Sequence, residues 1–430
     1  MIYLFLSHTF ALELDEALKA AWRHSPQADL WRFQADRLSL AWPQALSTIS
    51  PRFQLQGNIT RNQQEISFDP SMMMGDFSDL LSVDPVVVQP LYARNFSFRV
   101  VQPLIAPQAP DLLFAAHAQK QLAQTQKSSY KKDLFVQVAE VFVQTQLIQK
   151  RCDLQKKQLL FQQQEQERAA QEYQVGTSSL QDKLKAEISI QTTSSTLLQC
   201  QQQHQQLIRE LSFLTKKSQP APIHKRPTLN PLPKNLDILM ARVLDAHPII
   251  KQQEQDTRRI HHQIQAQKWD WLPSFNGVFT YSYANNIAFS DQNFLWSATL
   301  QSQWNIWDGG LRLLQQKELH IQKELQMRQY ELSVHQLQEQ VAKYWNLREL
   351  SQKRREENQI RLQQLRTLIE EQESAEGQLF SRSQQRDELN LLYEQSLFQE
   401  EQLRGEYYLH SFRLLLLSSP QPFTNKPLLE

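Results

Sequence analysis

The chain has 430 residues, and its 46 Lys and Arg against 45 Asp and Glu leave a net charge of +1, so no strong field calls for nucleic acid or an acidic partner. Only 8 residues are Gly, too few for a loop-rich enzyme with phosphate-cradling turns, and Gln is abundant on the stretches that read as helix. No run of about 18 apolar residues occurs, so no transmembrane helix is expected; the mean hydropathy of −0.56 leaves room for a membrane β-barrel, whose alternating strands are nearly invisible to hydropathy.

Residues 1–11 form an apolar stretch with no Lys or Arg before it. It reads as the later part of a secretory signal with the basic start missing, or as an ordinary buried N-terminal segment. No Cys follows, so no N-terminal lipid anchor is expected.

From 12 to 219 runs the first of two structural repeats. A helical stretch holds Leu14-Asp15 and Asp29-Leu30 on either side of Pro26, and Pro51 then opens an alternating segment. Over about 52–62, Phe53, Leu55, Gly57 and Ile59 alternate with Gln54, Gln56, Asn58 and Thr60. A second alternating segment over about 92–104 sets Tyr92, Phe96, Phe98 and Val100 against Asn95, Ser97 and Arg99. Between them, about 65–88 holds Met72-Met73-Met74-Gly75 and several Asp.

Nothing breaks a helix from about 111 to 175, and a second helix is predicted over 178–217. A 65-residue helix spans roughly 97 Å, too long for a globular core, which implies coiled-coil packing. Leu134, Val138, Val141, Thr145, Ile148, Cys152, Gln155 and Leu159 follow 4-3 spacing, as do Ala186, Ile190, Thr193, Leu197, Cys200, His204, Leu207, Leu211 and Leu214. If the chain reverses at Gly176, facing residues have numbers summing to 352, as in Val138 with Leu214 and Val141 with Leu211. Cys152 and Cys200, the only cysteines, obey the same sum. They are predicted to face each other, either bonded in an oxidising compartment or as two small buried side chains.

A Pro-rich linker (220–233) leads to the second repeat (234–419), with strands over about 274–284 and 294–306, helices over about 310–376 and 379–417, and a tail at 420–430. Leu236-Asp237, Pro248 and Pro273 repeat Leu14-Asp15, Pro26 and Pro51 at an offset of 222. Gly377 and Leu415 repeat Gly176 and Leu214 at 201, so the first half carries about 21 extra residues between its strands. Phe275, Gly277, Phe279, Tyr281 and Tyr283 alternate with Asn276, Thr280 and Ser282; Phe294, Trp296, Ala298 and Leu300 alternate with Ser297, Thr299 and Gln301.

Each alternating segment has the roughly 9–11 residue length of a tilted bilayer-crossing strand. One face is aromatic and apolar; the other is uncharged and polar with an occasional Arg, where the surface of a soluble sheet usually carries Lys and Glu. The alternative is a half-buried sheet packed on helices. Open edges do not survive in hydrocarbon, and the smallest barrels have about eight strands, so four strands in a membrane imply an oligomer. Two chains would give eight strands and three would give twelve; the sequence alone does not choose.

The order and spacing of these parts resemble the TolC-like outer-membrane efflux proteins. The resemblance rests on the two-fold repeat, on Pro51 and Pro273, on the hairpin tip Tyr173-Gln174-Val175-Gly176-Thr177-Ser178, and on the strand-to-helix joins. The join Ile306-Trp307-Asp308-Gly309-Gly310 matches closely; Gln102-Pro103-Leu104 keeps part of the pattern without the glycines. The resemblance implies a mainly α fold with membrane β: a homotrimer with one twelve-strand barrel in outer-membrane lipid and twelve helices forming a periplasmic α-barrel. It implies an exit duct of a tripartite efflux pump or type I secretion system, served by an inner-membrane transporter and a periplasmic adaptor (membrane fusion) protein. It makes Val175, Gly176, Thr177, Ser178, Gly377, Gln378 and Leu379 the adaptor-facing tips. The 65–88 insertion reads as a long extracellular loop, where barrel loops tolerate insertion, or as a site for a surface partner. Family members carry acidic residues six and nine positions after the second-repeat Gly; here these are Ser383 and Arg386, with Asp182 and Lys185 in the first repeat. A purely acidic constriction is therefore not expected. A mixed ring of Asp182, Lys185, Arg386 and Asp387 is the candidate entrance, against the reading that these are solvated helix charges.

No catalytic constellation, cofactor motif or metal-ligand spacing is present in the sequence. His261 and His262 are neighbours that point apart on a helix, and His247 beside Pro248 reads as a helix-start residue. Lys131-Lys132 and Lys353-Arg354-Arg355 read as solvated face. The competing function is a soluble periplasmic coiled-coil scaffold, in which Phe275, Phe279, Tyr281 and Trp296 would need a protein partner to cover them.

Overall fold

A computed structural model describes residues 11–68, 86–217, 221–222, 226–285, 293–374 and 381–418. In chain order these form β1 (Ala11–Leu12), α1 (Leu14–His24), α2 (Pro26–Ser39), α3 (Ala41–Ser47), β2 (Arg52–Arg61), β3 (Ile66–Phe68), β4 (Val86–Gln89) and β5 (Tyr92–Ile105). Then follow α4 (Ala109–Val175), α5 (Leu180–Thr215), β6 (Ala221–Pro222), α6 (Leu236–Ala246), α7 (Pro248–Trp269), β7 (Ser274–Ala284), β8 (Phe294–Gln303), α8 (Leu311–Ser374) and α9 (Ser381–Ser418).

The duplication governs where elements begin and end. α1 and α6 are both 11 residues long and start 222 positions apart. The frame that α7 fills as one helix is divided between α2 and α3 in the first half. Pro43 is the cause: it has no N–H for the Ser39 carbonyl, and its ring crowds that carbonyl, so α2 stops there. Gln265 occupies the same frame position in α7 and lets the helix run through.

The chain divides into two compact units, 1–36 with 124–253 and 329–430, and 37–123 with 254–328. Each draws on both repeats, so the repeats are not domains.

In the first unit Leu14, Ala17, Leu18 and Ala21 recur at helical spacing and put one face of α1 into a core. That core holds Leu134, Val138 and Phe142 of α4, Leu211 and Leu214 of α5, and Phe412 and Leu416 of α9. A second core gathers Leu239, Val243 and Ile250 with Leu337, Val341 and Trp345 of α8 and Leu414 of α9. α9 thus serves both cores from alternate sides of its last turns. Truncating a fully buried member such as Leu18 or Phe142 to Ala costs about 2–5 kcal/mol.

Towards the tip of the α4–α5 hairpin the seam turns polar: the Ser189 hydroxyl donates to Gln162 at 2.7 Å and the Thr196 hydroxyl to Gln155 at 3.2 Å. α9 is held in register by Lys150–Glu401 (3.4 Å) and Lys157–Glu394 (2.6 Å) to α4, and by Arg355–Glu400 (2.8 Å) to α8. These pairs are partly exposed, so each contributes only about 0–1 kcal/mol and serves alignment more than stability.

Here the sequence reading of Lys131-Lys132 needs correction. Both are half-buried: Lys131 lies over Trp22 (5.0 Å) and Phe135 (5.6 Å). Burial, with Lys127 and Arg32 nearby, pushes the Lys131 ammonium down to about 8; burial and Lys251 do the same to Lys132. The acid that follows, Asp133, suggests a solvated face, but α4 is packed where it carries Leu134, Phe135 and Val138. Of the other basic run, Lys353 and Arg354 are exposed while Arg355 is taken up by Glu400.

The second unit carries a four-stranded antiparallel sheet in the order β2-β5-β7-β8. β3 and β4 pair with each other, so the ends of the 65–88 insertion form a short two-stranded ribbon; residues 69–85 lie outside the described residues.

Candidate functional site

The register brings the apolar stripes of all four strands onto one face. Phe53 faces Val100, Leu55 faces Phe98 and Gly57 faces Phe96; Phe96 and Phe98 face Tyr283 and Tyr281; these face Phe294 and Trp296. Rings stack across strands, with centroids 6.2 Å apart for Phe53–Phe98 and 5.8 Å for Tyr281–Phe294. The Phe96 ring lies so close over Gly57 that a Cβ there would meet it at 2.9 Å. The band is uncovered: Leu55 is 81% exposed and Trp296 70%. The opposite face carries Gln54, Gln56, Asn58, Asn95, Ser97, Thr280, Ser297 and Thr299, with Arg99 between Gln54 and Thr280.

β2 and β8 each pair on one side only among the described residues. Edges of soluble sheets are blunted by charge, proline or a bulge. β8 has none of these over Phe294–Gln303, and β2 has charge only at Arg52 and Arg61. Both edges therefore leave one row of backbone groups without a strand partner among the described residues.

Where β8 turns into α8, Gly309 and Gly310 take φ of 72° and 88°, a region that L side chains rarely adopt. Asp308 accepts from the N–H of Gly310 (3.1 Å) and of Arg312 (3.0 Å), capping the new helix. Arg312, 4% exposed, pairs through its guanidinium with Asp308 (3.0 Å) and Asp270 (3.4 Å). It also donates to the Asp270 and Asn305 carbonyls and lies 5.0 Å over Trp271. Sequence reasoning missed this knot. The first join lacks glycines and has no positive φ: β5 runs past Pro103 with a register shift, while Gln102 donates to the Ile49 carbonyl at 3.1 Å.

At the first hairpin tip, α4 ends at Val175, which is 79% exposed. Gly176 takes φ 81°, its N–H donates to the Tyr173 carbonyl (3.1 Å), and that of Thr177 to Glu172 (2.9 Å). This paired closure is the Schellman ending that a glycine permits. Ser178 donates to the Glu172 carbonyl, and Ser179 then caps α5 by accepting from the Asp182 N–H. Gly377, Gln378 and Leu379 lie outside the described residues.

The candidate entrance residues form two local pairs. Asp182 lies 4.0 Å from Lys185, and Arg386 lies 3.9 Å from Asp387. The Ser179 hydroxyl, hydrogen-bonded at 2.6 Å, holds the exposed Asp182 carboxyl below its usual range. No ion pair joins one couple to the other among the described residues. Ser383 falls within α9, and its side chain is not described. Cys152 and Cys200 are joined as a disulfide with Cα atoms 5.7 Å apart. Among the described residues no His, Cys, Asp and Glu group could hold a metal ion, and no helix is long and apolar enough to cross a membrane.

This architecture is the TolC-like outer-membrane channel fold. No protein-family model and no curated protein matches the sequence. Solved structures do. The CmeC outer membrane channel of Campylobacter jejuni aligns with a TM-score of 0.76 at 10% identity, over 96% of this chain and 87% of that one. The outer membrane protein VceC of Vibrio cholerae aligns at 0.70 and 14% identity over 94% and 96%. The MtrE outer membrane channel of Neisseria gonorrhoeae, in its open state, aligns at 0.68 and 12% over 95% and 89%. At such identities the likeness defines the fold.

Proposed function

We propose that the chain is the outer-membrane exit duct of a tripartite efflux pump or type I secretion system, conducting substrates passively across the periplasm and outer membrane. The observation that carries this reading is the uncovered aromatic band on a sheet with two unprotected edges. In water, a band of this kind would drive aggregation; in lipid it is the required exterior.

The strands alternate in direction, so β2 and β8 run opposite ways. Rotation about a common axis therefore sets β8 of one copy antiparallel beside β2 of the next, a head-to-tail contact that closes into a ring. Three copies, the number implied by the resemblance to TolC-like channels, supply twelve strands. The Gln, Asn, Ser and Thr face then lines a watery lumen.

In this assembly the long helices continue the lumen through the periplasm. Val175, Gly176, Thr177 and Ser178, with Gly377, Gln378 and Leu379, meet a periplasmic adaptor, and Asp182, Lys185, Arg386 and Asp387 border the entrance. An inner-membrane transporter supplies the energy, and the duct itself performs no chemistry. Membrane fractionation followed by oxidation of an Asn58→Cys, Ser297→Cys variant tests the reading. Membrane-bound species cross-linked through the two edges are expected; a soluble monomer that never cross-links would overturn it.

A further inference from the structure

The near-zero net charge of the chain hides a local excess. Between α1 and the end of α5 lies an open groove of about 560 Å³, within the ~300–1,000 Å³ range of small-ligand sites. Its walls carry Lys19, Arg23 and His24 of α1 and Lys216 and Lys217 beyond α5, against one carboxylate, Glu16. Glu16 engages Lys217 at 3.5 Å; Lys19, Arg23 and Lys216 have no carboxylate partner among the described residues.

Cations gather at helix C-termini to complement the macrodipole, which is the simplest account of such residues. It is insufficient here, because the last carbonyls of α1 are already taken. Arg32, paired with Asp29 at 3.1 Å, donates to the carbonyls of Trp22 and Arg23. Beyond α5, Lys216 adopts φ 52°, and the Ser212 hydroxyl donates to the Lys217 carbonyl at 2.7 Å, so the turn is closed without the lysine side chains.

From this geometry we infer that the groove binds an acidic peptide segment of a partner protein. Lys19 and Arg23 are one helical turn apart on α1, with Lys216 and Lys217 across the groove. That array matches carboxylates repeated along a chain. A single phosphate is the competing ligand, since ammonium groups also bind it as point charges, and displacement by inorganic phosphate separates the two. The inference goes beyond the duct reading and does not depend on it.

The test uses the full chain in detergent and a fluorescein-labelled deca-glutamate peptide, read by anisotropy. Binding should weaken about tenfold in Lys19→Gln, Lys216→Gln and change little in Lys353→Gln, Arg354→Gln, an exposed basic pair elsewhere. Glu16→Gln removes the one opposing carboxylate and should tighten binding severalfold, a gain that misfolding cannot produce. Equal loss in both double variants, or no binding to wild type at about 50 mM salt, overturns the proposal. So does displacement of the peptide by equimolar inorganic phosphate, which would make the groove a simple oxyanion site.

Discussion

Asp111 and Arg312 occupy equivalent positions 201 residues apart, each in the first turn of a long helix, and each anchors that turn to the end of α7 or just beyond it. Asp111 accepts from Trp269 at 2.9 Å and meets His262 at 3.0 Å; Arg312 holds Asp270 and stacks on Trp271. One ancestral position therefore carries opposite charges towards the same helix end. Replacing Arg312 by Met removes the cation paired with Asp308 and Asp270 and the donor to two carbonyls, while Asp308 keeps its two backbone donors. Because the carboxylates are partly exposed, the loss should be about 2–3 kcal/mol, below that of a fully buried pair. Arg312→Lys should recover only part, since an ammonium cannot reproduce the fork. Thermal unfolding of the three proteins checks the order.

The glycines of the same join act through conformation alone. A Cβ on Gly309 or Gly310 would meet nothing within 4 Å, yet both have positive φ. Gly310→Ala should therefore cost about 1–2 kcal/mol with no steric component. Gly310→Asn should cost less, because Asn tolerates the left-handed region. Equal unfolding midpoints for the Ala and Asn variants would contradict this. Gly57→Ala should behave differently, by displacing the Phe96 ring.

How much of this was legible in the sequence depends on the range of the interaction. The fold class was readable because its signals are local: alternation in Phe53–Thr60 and Phe294–Gln301, unbroken helical runs, and 4-3 spacing along α4 and α5. The break between α2 and α3 has an equally local cause in Pro43, but the sequence reading passed over it and took this stretch as helix. The Arg312 knot was not read, because it joins residues about 40 positions apart; only the 201 offset, applied to Asp111, points to it. Lys131-Lys132 misled because charge next to Asp133 looks solvated until the packing of α1 and α7 around α4 is known. The entrance residues rest on spacing after a glycine, and spacing does not say which helix face a lumen would meet.

The disulfide ties the first hairpin alone: the equivalent positions of the second repeat are Lys353 and Glu401. A bond closing 48 residues lowers the entropy of the unfolded chain, and Cys200→Ser should cost roughly 2–4 kcal/mol. The unfolded wild type should run faster on a denaturing gel without reductant than with it, and the variant should show no shift. Identical mobility of the wild type in both conditions would show the thiols unbonded in the isolated protein.

His247 is 5% exposed, and its ring nitrogen accepts from the Ile249 N–H, starting α7. Burial, aided by Lys132, pushes its pKa down to about 4 from 6.5. The unfolded chain therefore binds the extra proton first. The contribution of neutral His247 is complete above pH 6.5 and is lost as pH falls towards 4, amounting at most to about 3 kcal/mol. Unfolding midpoints of His247→Asn should fall less steeply than those of wild type over that window. Parallel curves would remove His247 from the acid sensitivity.

Arg386 is one of the two cations, with Lys185, of the candidate entrance. Arg386 lies 3.9 Å from Asp387 and is partly exposed, so its charge is only partly neutralised within the chain. In a trimer it would recur three times around one axis, and rings of like charge set the sign of the permeating ion. Arg386→Asp exchanges a cation for an anion at every repeat. In a planar bilayer under a KCl gradient, the reversal potential should move towards cation selectivity, with a severalfold change in permeability ratio. The Asp182→Asn variant should move it the other way, because it removes a carboxylate that Ser179 holds ionised. An unchanged reversal potential in Arg386→Asp would place this side chain outside the conduction path and leave Asp182 and Lys185 as the residues to test.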